Sequence, residues 1–369
     1  MSTYVIDYQN LRLGDVVLTS ERAIPSKAIR LATAGRYSHA ALWVGGSLIE
    51  ATLSGVFSAN PQRMLFANAD DAVVLRSKEP LTQQQSKLIC NYARSCVGSL
   101  YALSELALLP VGRFKRIGAL ATRRQFCSRL VAMAYEHAGI ELSERIDSRY
   151  CTPRMISLSK KLAVVPGMMR EALPEELEIA ASPDGIKMNQ EKFFMWLNGI
   201  RSMVQADPVL SLEHDIQSDG DAYELLLAHP ELDAAATELL RKSGYLSFYN
   251  YDASIPRLSY RYDRDAMNEA LESADSMSLL QKELEKEPEL FKRYDAMCIV
   301  MSKHYRATGL QFFRELVLLY RNLLDQVRLR LEILSYGFSR VGDQRGADSV
   351  RQLSEIAAQA VVRANQACS

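Results

Sequence analysis

Six cysteines are too few to staple a chain of 369 residues, and Cys90, Cys96, Cys127, Cys151, Cys298 and Cys368 follow no zinc-ligand spacing. This excludes a disulfide-built secreted scaffold and favours free thiols in a reducing compartment. No secretory leader is expected either: Met1-Ser2-Thr3-Tyr4-Val5-Ile6-Asp7 has no basic start and no apolar core. No apolar run reaches spanning length without a charge; the nearest, Ala102 to Val111, contains Glu105. The expectation is a chain that is cytoplasmic as synthesised, with any export by a route other than a cleaved N-terminal signal. Peripheral membrane contact stays open, and no nucleic-acid partner is expected. Net charge is zero overall, yet the sum hides a split. Through Val165 there are 21 Lys and Arg against 12 Asp and Glu, a net of +9, and the remainder carries −9. Opposite signs fit two docking domains, or a basic domain that meets an anionic substrate.

What is present is enough apolar residue, 48%, for a full core. The length suggests two domains or three. Boundaries are expected at 1–165, a Pro-, Gly- and Glu-rich linker at 166–188, and a helical region at 189–369.

In the first region Leu13-Gly14-Asp15-Val16-Val17-Leu18 reads as a turn feeding a buried strand. Ile24 to Ala34 has helical spacing and ends at Gly35. Tyr37 to Val44 is a strand with His39 near its start. Gly45-Gly46 then separates it from Ser47-Leu48-Ile49-Glu50-Ala51-Thr52, a hairpin signal. A two-residue turn sets Trp43 against Leu48, Ala41 against Glu50 and His39 against Thr52. His39 and Glu50 then share a face as diagonal neighbours, roughly 7–8 Å apart by Cα. A three-residue turn would flip that register. Ala72 to Leu75 is a further strand. Leu81 to Val97 is a helix capped by Thr82, and Tyr101 to Leu109 is a second, short helix.

Phe126 to Ala138 is a helix opening on Cys127, with Leu130, Val131, Ala134 and Ala138 as its apolar stripe and Gly139 as its stop. The partial positive charge at a helix start favours a thiolate. Arg123, Arg124 and Arg129 add full charges, and no acid lies between Glu105 and Glu136. A buried cysteine is ordinarily a core residue, and a strand histidine an ordinary buried one. A first-turn thiol, a strand imidazole and a same-face carboxylate together make nucleophilic acyl chemistry the better reading.

These segments resemble a known family. Leu13 to Leu18, Tyr37-Ser38-His39-Ala40-Ala41, Leu48-Ile49-Glu50-Ala51 and Phe126-Cys127-Ser128 with Leu130-Val131 are similar to the circularly permuted branch of the NlpC-type papain-like hydrolases, the YiiX/YebB-like group. Lecithin retinol acyltransferase shares that permuted plan, in which the histidine strand precedes the cysteine helix. The resemblance runs from about Leu11 to Val165, with Thr152-Pro153 as its closing segment. It implies a permuted papain-like (NlpC-type) domain, and with the helical spacing of the second half the expected architecture is α+β: that domain followed by an all-α helical bundle. It also implies Cys127 as nucleophile, His39 as base and Glu50 as orienting residue, with no metal and no organic cofactor. Tyr101 matches a recurrent tyrosine and is a candidate, with Thr52, for oxyanion support or site lining. The second position after the cysteine, often acidic in the branch, is Arg129 here, which suggests a different charge preference at the rim.

Three functions compete. The leading one is a cysteine amidase or peptidase acting through a thioester on a peptide-like amide. The second is a thiol acyltransferase or phospholipase on membrane lipid, for which Arg113, Lys115, Arg116, Arg123, Arg124 and Arg129 would contact an anionic substrate. The third is a catalytically silent interaction protein.

The rest of the chain reads as helices: Gln190 to Gln205, Asp221 to His229, Glu231 to Lys242, Asp263 to Lys286, Pro288 to His304, Leu310 to Tyr336 and Ala347 to Asn365. A tyrosine-rich loop spans Tyr245 to Tyr262. Phe313, Leu316, Tyr320, Leu323, Val327, Leu331 and Leu334 form a bundle stripe that Gly337 is expected to end. This region carries no enzyme motif, and a protein partner or substrate gating is its expected role.

Overall fold

The computed structural model describes residues 2–20, 35–102, 123–143, 146–273 and 275–368. The chain forms two compact units: residues 1–197 with 204–222, and residues 198–203 with 223–369. The helix expected at Ile24 to Ala34 lies outside the described residues, as does Tyr101 to Leu109 beyond Ala102.

The first unit contains β1 (Tyr4–Ile6), β2 (Val16–Thr19), β3 (His39–Trp43), β4 (Leu48–Thr52), β5 (Gly55–Ala59) and β6 (Ala72–Ser77). There follow α1 (Gln83–Ser95), α2 (Cys127–His137), α3 (Pro153–Ser157), β7 (Leu162–Val164) and β8 (Met169–Glu171). The main sheet is antiparallel throughout, in the order β5-β4-β3-β2-β6-β7.

The β3–β4 hairpin sets its register. Gly45 and Gly46 both lie at φ 83°, which two-residue hairpin turns require and side chains resist. Val44 N–H donates to Ser47 O at 3.1 Å, and the ladder pairs Trp43 with Leu48 and Ala41 with Glu50, the pairs expected from a two-residue turn.

Strand alternation gives the sheet two apolar faces. Val16, Leu18, Ala40, Leu42, Ile49 and Ala51 pack with Ile89 and Cys90 of α1 and Leu130 and Val131 of α2. Val17, Ala41, Trp43, Leu48 and Val74 pack with Ile6, Leu11 and Met168. α1 begins with a capping box in which Thr82 and Gln85 exchange bonds at 3.0 and 3.1 Å. Asp15, in the Leu-Gly-Asp turn, is 1% exposed. Its carboxylate accepts from Arg76 Nε at 2.7 Å, Arg76 Nη2 at 2.6 Å and Arg12 N–H at 2.9 Å, so this conspicuous acid holds the turn.

Residues 166–188, expected as a linker, are bound in place. Asp7 N–H donates to Met168 O at 2.8 Å, and β8 pairs with β1. α4 (Pro174–Ala181) follows, and Arg63 donates to the carbonyls of Ala180, Ser182 and Pro183 around its end. α5 (Gly185–Ala206), α6 (Pro208–Glu213) and α7 (Asp219–Ala228) come next.

The second unit contains α8 (Asp233–Lys242), α9 (Arg264–Ser273), α10 (Ser276–Leu284), α11 (Glu287–Thr308), α12 (Gln311–Arg340) and α13 (Gln344–Cys368). The tyrosine-rich loop winds into three short 3₁₀ helices, Tyr245–Asn250, Asp252–Ser254 and Pro256–Arg261. The single helix expected over Asp263 to Lys286 is two, because Asp275 caps a fresh start by accepting from Ser278 N–H. α12 begins where Asp233 accepts from the N–H groups of Gln311 and Phe312 at 2.8 and 2.9 Å. Gly337 does not end α12, which runs on to Arg340. A Cβ at Gly337 would stand 2.7 Å from Leu280 Cδ2 and 3.3 Å from Met267 Sδ, so this glycine makes room for a close helix crossing.

Candidate active site

Cys127 is the first residue of α2, after Phe126 in extended conformation. The backbone just upstream is pinned: Gln125 N–H donates to Leu100 O at 3.0 Å and Ala102 N–H to Gln125 O at 2.9 Å. This short parallel bridge lays Tyr101 beside the cysteine. At its far end α2 closes with Gly139 and Ile140 N–H bonding back to Glu136 and Tyr135 carbonyls.

His39 is the first residue of β3, and its Nε2 lies 2.5 Å from Glu50 Oε2. Nδ1 is thereby left as the ring nitrogen available to the thiol. Burial works against charge on this imidazole. Hydrogen bonds with the Cys127 thiol and the Glu50 carboxylate, and the negative charge of both, outweigh it and hold His39 well above its ordinary value. Cys127 is 3% exposed and His39 7%, so the pair is screened from bulk water. Burial, with the Cys127 charge second, raises the Tyr101 phenol, which is therefore a neutral hydroxyl near the sulfur.

The structure thus brings Cys127, His39, Glu50 and Tyr101 together, and it places the other candidates elsewhere. Thr52 Oγ1 accepts from Ser54 N–H at 3.3 Å in the following turn. Arg129 is 2% exposed and does not line a rim. Its Nε donates to Arg149 O at 2.8 Å and its Nη1 to Arg124 O at 2.9 Å, and its guanidinium lies 4.6 Å from the Phe126 ring centroid. The side chain lies against the helix it belongs to and fastens the loop before Cys127. Ser128 Oγ does similar work, donating to Cys151 O at 2.7 Å. Arg123 pairs with Asp221 at 2.7 Å, and Arg124 contributes its carbonyl to Arg129. Arg113, Lys115 and Arg116 lie outside the described residues.

One polar neighbour of His39 escaped the sequence reading. Thr19, the last residue of β2, stands directly opposite His39 in the ladder and is 1% exposed. The available signal was a hydroxyl ending an apolar strand, Val-Val-Leu-Thr.

A strand histidine that precedes a helix-opening cysteine in the chain, both on an antiparallel sheet with the helix laid across it, is the plan of a permuted papain-like domain. Residues 10–147 match the family described as permuted papain-like amidase enzyme, YaeF/YiiX, C92 family. That match indicates an enzyme domain of the hydrolase kind over residues 10–147. No curated protein matches the chain. No described helix is long and apolar enough to cross a membrane.

Proposed function

We propose that the first unit is a cysteine amidase for a peptide-like acyl substrate, with Cys127 as nucleophile, His39 as general base and acid, and Glu50 as the group that orients the imidazole. The observation that carries this reading is the position of His39, buried and hydrogen-bonded to a thiol on one side and a carboxylate on the other. The raised imidazole keeps the proton it takes from the thiol, which leaves sulfur as the attacking atom.

Sulfur attacks the amide carbon, and the oxygen that gains charge faces the start of α2, where the Cys127 N–H and the neutral Tyr101 hydroxyl are the candidate donors. His39 returns its proton to the departing amine, and a thioester remains on Cys127. Water then resolves it, with the imidazole acting as base. Glu50 fixes the ring through Nε2 and steadies its cationic form. The lipid-acyl alternative drew on a basic rim, of which Arg129 is buried and Arg123, though exposed, is paired with Asp221. The free cysteines support work in a reducing compartment.

Intact mass after exposure to an activated acyl ester tests the reading. The expected result is one acyl mass on wild-type protein, mapped to Cys127, and none on Cys127→Ala. Cys127→Ala and His39→Ala should each lower turnover by about 10³-fold or more, since the pair acts as a unit. An adduct on Cys127→Ala at wild-type level would sink the assignment.

A further inference from the structure

Thr19 and Glu50 flank His39 on one face of the sheet, from β2 and β4 respectively. Glu50 spends its carboxylate on Nε2. The Thr19 hydroxyl is buried with no hydrogen-bond partner among the described residues. Such a group costs on the order of 1–3 kcal/mol unless something pairs with it. Its other cross-strand neighbour, Ala72, offers no polar side chain. Directly opposed residues have Cβ atoms about 4.5–5.5 Å apart, so the hydroxyl lies beside the root of the imidazole, within a water's reach of the ring.

We propose that Thr19 holds the water that hydrolyses the thioester. The inference rests on the amidase reading above. Once Cys127 is acylated, its sulfur no longer offers or accepts the proton, and Nδ1 is free. A water there gains two protein partners, Thr19 Oγ1 and His39 Nδ1, with the thioester carbonyl carbon as its target; a buried water needs two to four polar contacts. The water oxygen forms a bond to the carbonyl carbon while Nδ1 takes one of its protons. The tetrahedral intermediate collapses, the carbon–sulfur bond breaks, and the electron pair leaves on sulfur as thiolate. The product departs as a carboxylic acid that ionises, and the imidazolium–thiolate pair is restored. Thr19 then assists deacylation only, because during acylation Nδ1 belongs to the thiol.

The test is stopped-flow hydrolysis of p-nitrophenyl acetate by the full chain, in which the burst reports acylation and the steady rate reports deacylation. Thr19→Val should lower the steady rate by about tenfold, the worth of one hydrogen bond, and lower the burst rate far less. Hydroxylamine, which needs no anchored water, should restore turnover of Thr19→Val more than that of wild type. Thr19→Ser should recover most of the deacylation rate, and Thr19→Ala should repeat the defect without added bulk. Deacylation in Thr19→Val and Thr19→Ala at the wild-type rate overturns the proposal, as does an equal fall in both phases. A wild type without a burst, or a burst that survives Cys127→Ala, overturns the amidase reading instead, and this proposal with it.

Discussion

In the second unit Arg330 grips both oxygens of Glu287, at 2.7 and 2.8 Å, with side chains 12% and 4% exposed. Glu283 beside it takes Arg261, Lys286 and the Tyr260 hydroxyl. In the first unit Glu50, nearly as buried, reaches an imidazole whose other nitrogen serves a thiol. Both units bury charge, but on different terms. Burial pushes the Glu283 carboxyl up, and Arg261 and Lys286 outweigh it and hold the group below its ordinary value. A guanidinium does not give up its proton, so the second unit's charges are fixed. At His39 the cation is an imidazole, which can give up its proton, so the charge there is not fixed. Paired with a permanent cation, a buried acid faces a fixed charge; paired with an imidazole, it faces one that can change.

The sharpest break of that contrast is Glu287→Gln. It strands a buried guanidinium and should cost about 3–5 kcal/mol, read as a fall in the unfolding midpoint, while acylation of Cys127 persists under native conditions. Next comes Glu50→Gln, which should lower turnover by about 10²-fold, less than His39→Ala, because it loosens the ring without removing the base. If Glu50→Gln instead unfolds the protein as Glu287→Gln does and leaves turnover intact, the two carboxylates are alike and the comparison fails. Gly337→Ala should cost about 1–3 kcal/mol of stability, since Leu280 and Met267 are fully buried and have little room to yield.

The smallest effect is the pH dependence of folding. His39 binds its proton more tightly folded than unfolded, so the stabilisation is fully present below about pH 6.5 and is lost as pH rises through the raised folded value. Over that window stability should decline by about 1 kcal/mol per pH unit, and the slope should vanish in His39→Gln, checked by denaturant titration at several pH values.

Much of the site could be read from residues alone because it is built from local rules. Two glycines fixed a turn length, the turn length fixed a register, and the register put Glu50 beside His39. A helix start fixed the place of Cys127. What escaped depended on partners distant in sequence. Arg129 resembles a rim cation until the carbonyls of Arg124 and Arg149 are seen around it. Gly337 resembles a stop until Leu280 is seen against it. Residues 166–188 have breakers enough for a tether, yet β1 and Arg63 supply bonds that composition does not reveal. Thr19 matters only through its opposite neighbour on another strand.

The order of the pieces along the chain also bears on how the protein is born. His39 and Glu50 are eleven residues apart across one tight turn, a contact of the kind that closes within about 1–10 μs of the hairpin being available. Cys127 waits for α1, the bridge at Tyr101 and Gln125, and α2 itself. On a ribosome the acid–base half of the site can therefore assemble while the sulfur does not yet exist. A chain broken off before Gln125 holds the histidine and the glutamate without the thiol. The three groups come together only once α2 is made, while β7 and β8, which complete the sheets, follow later in the chain.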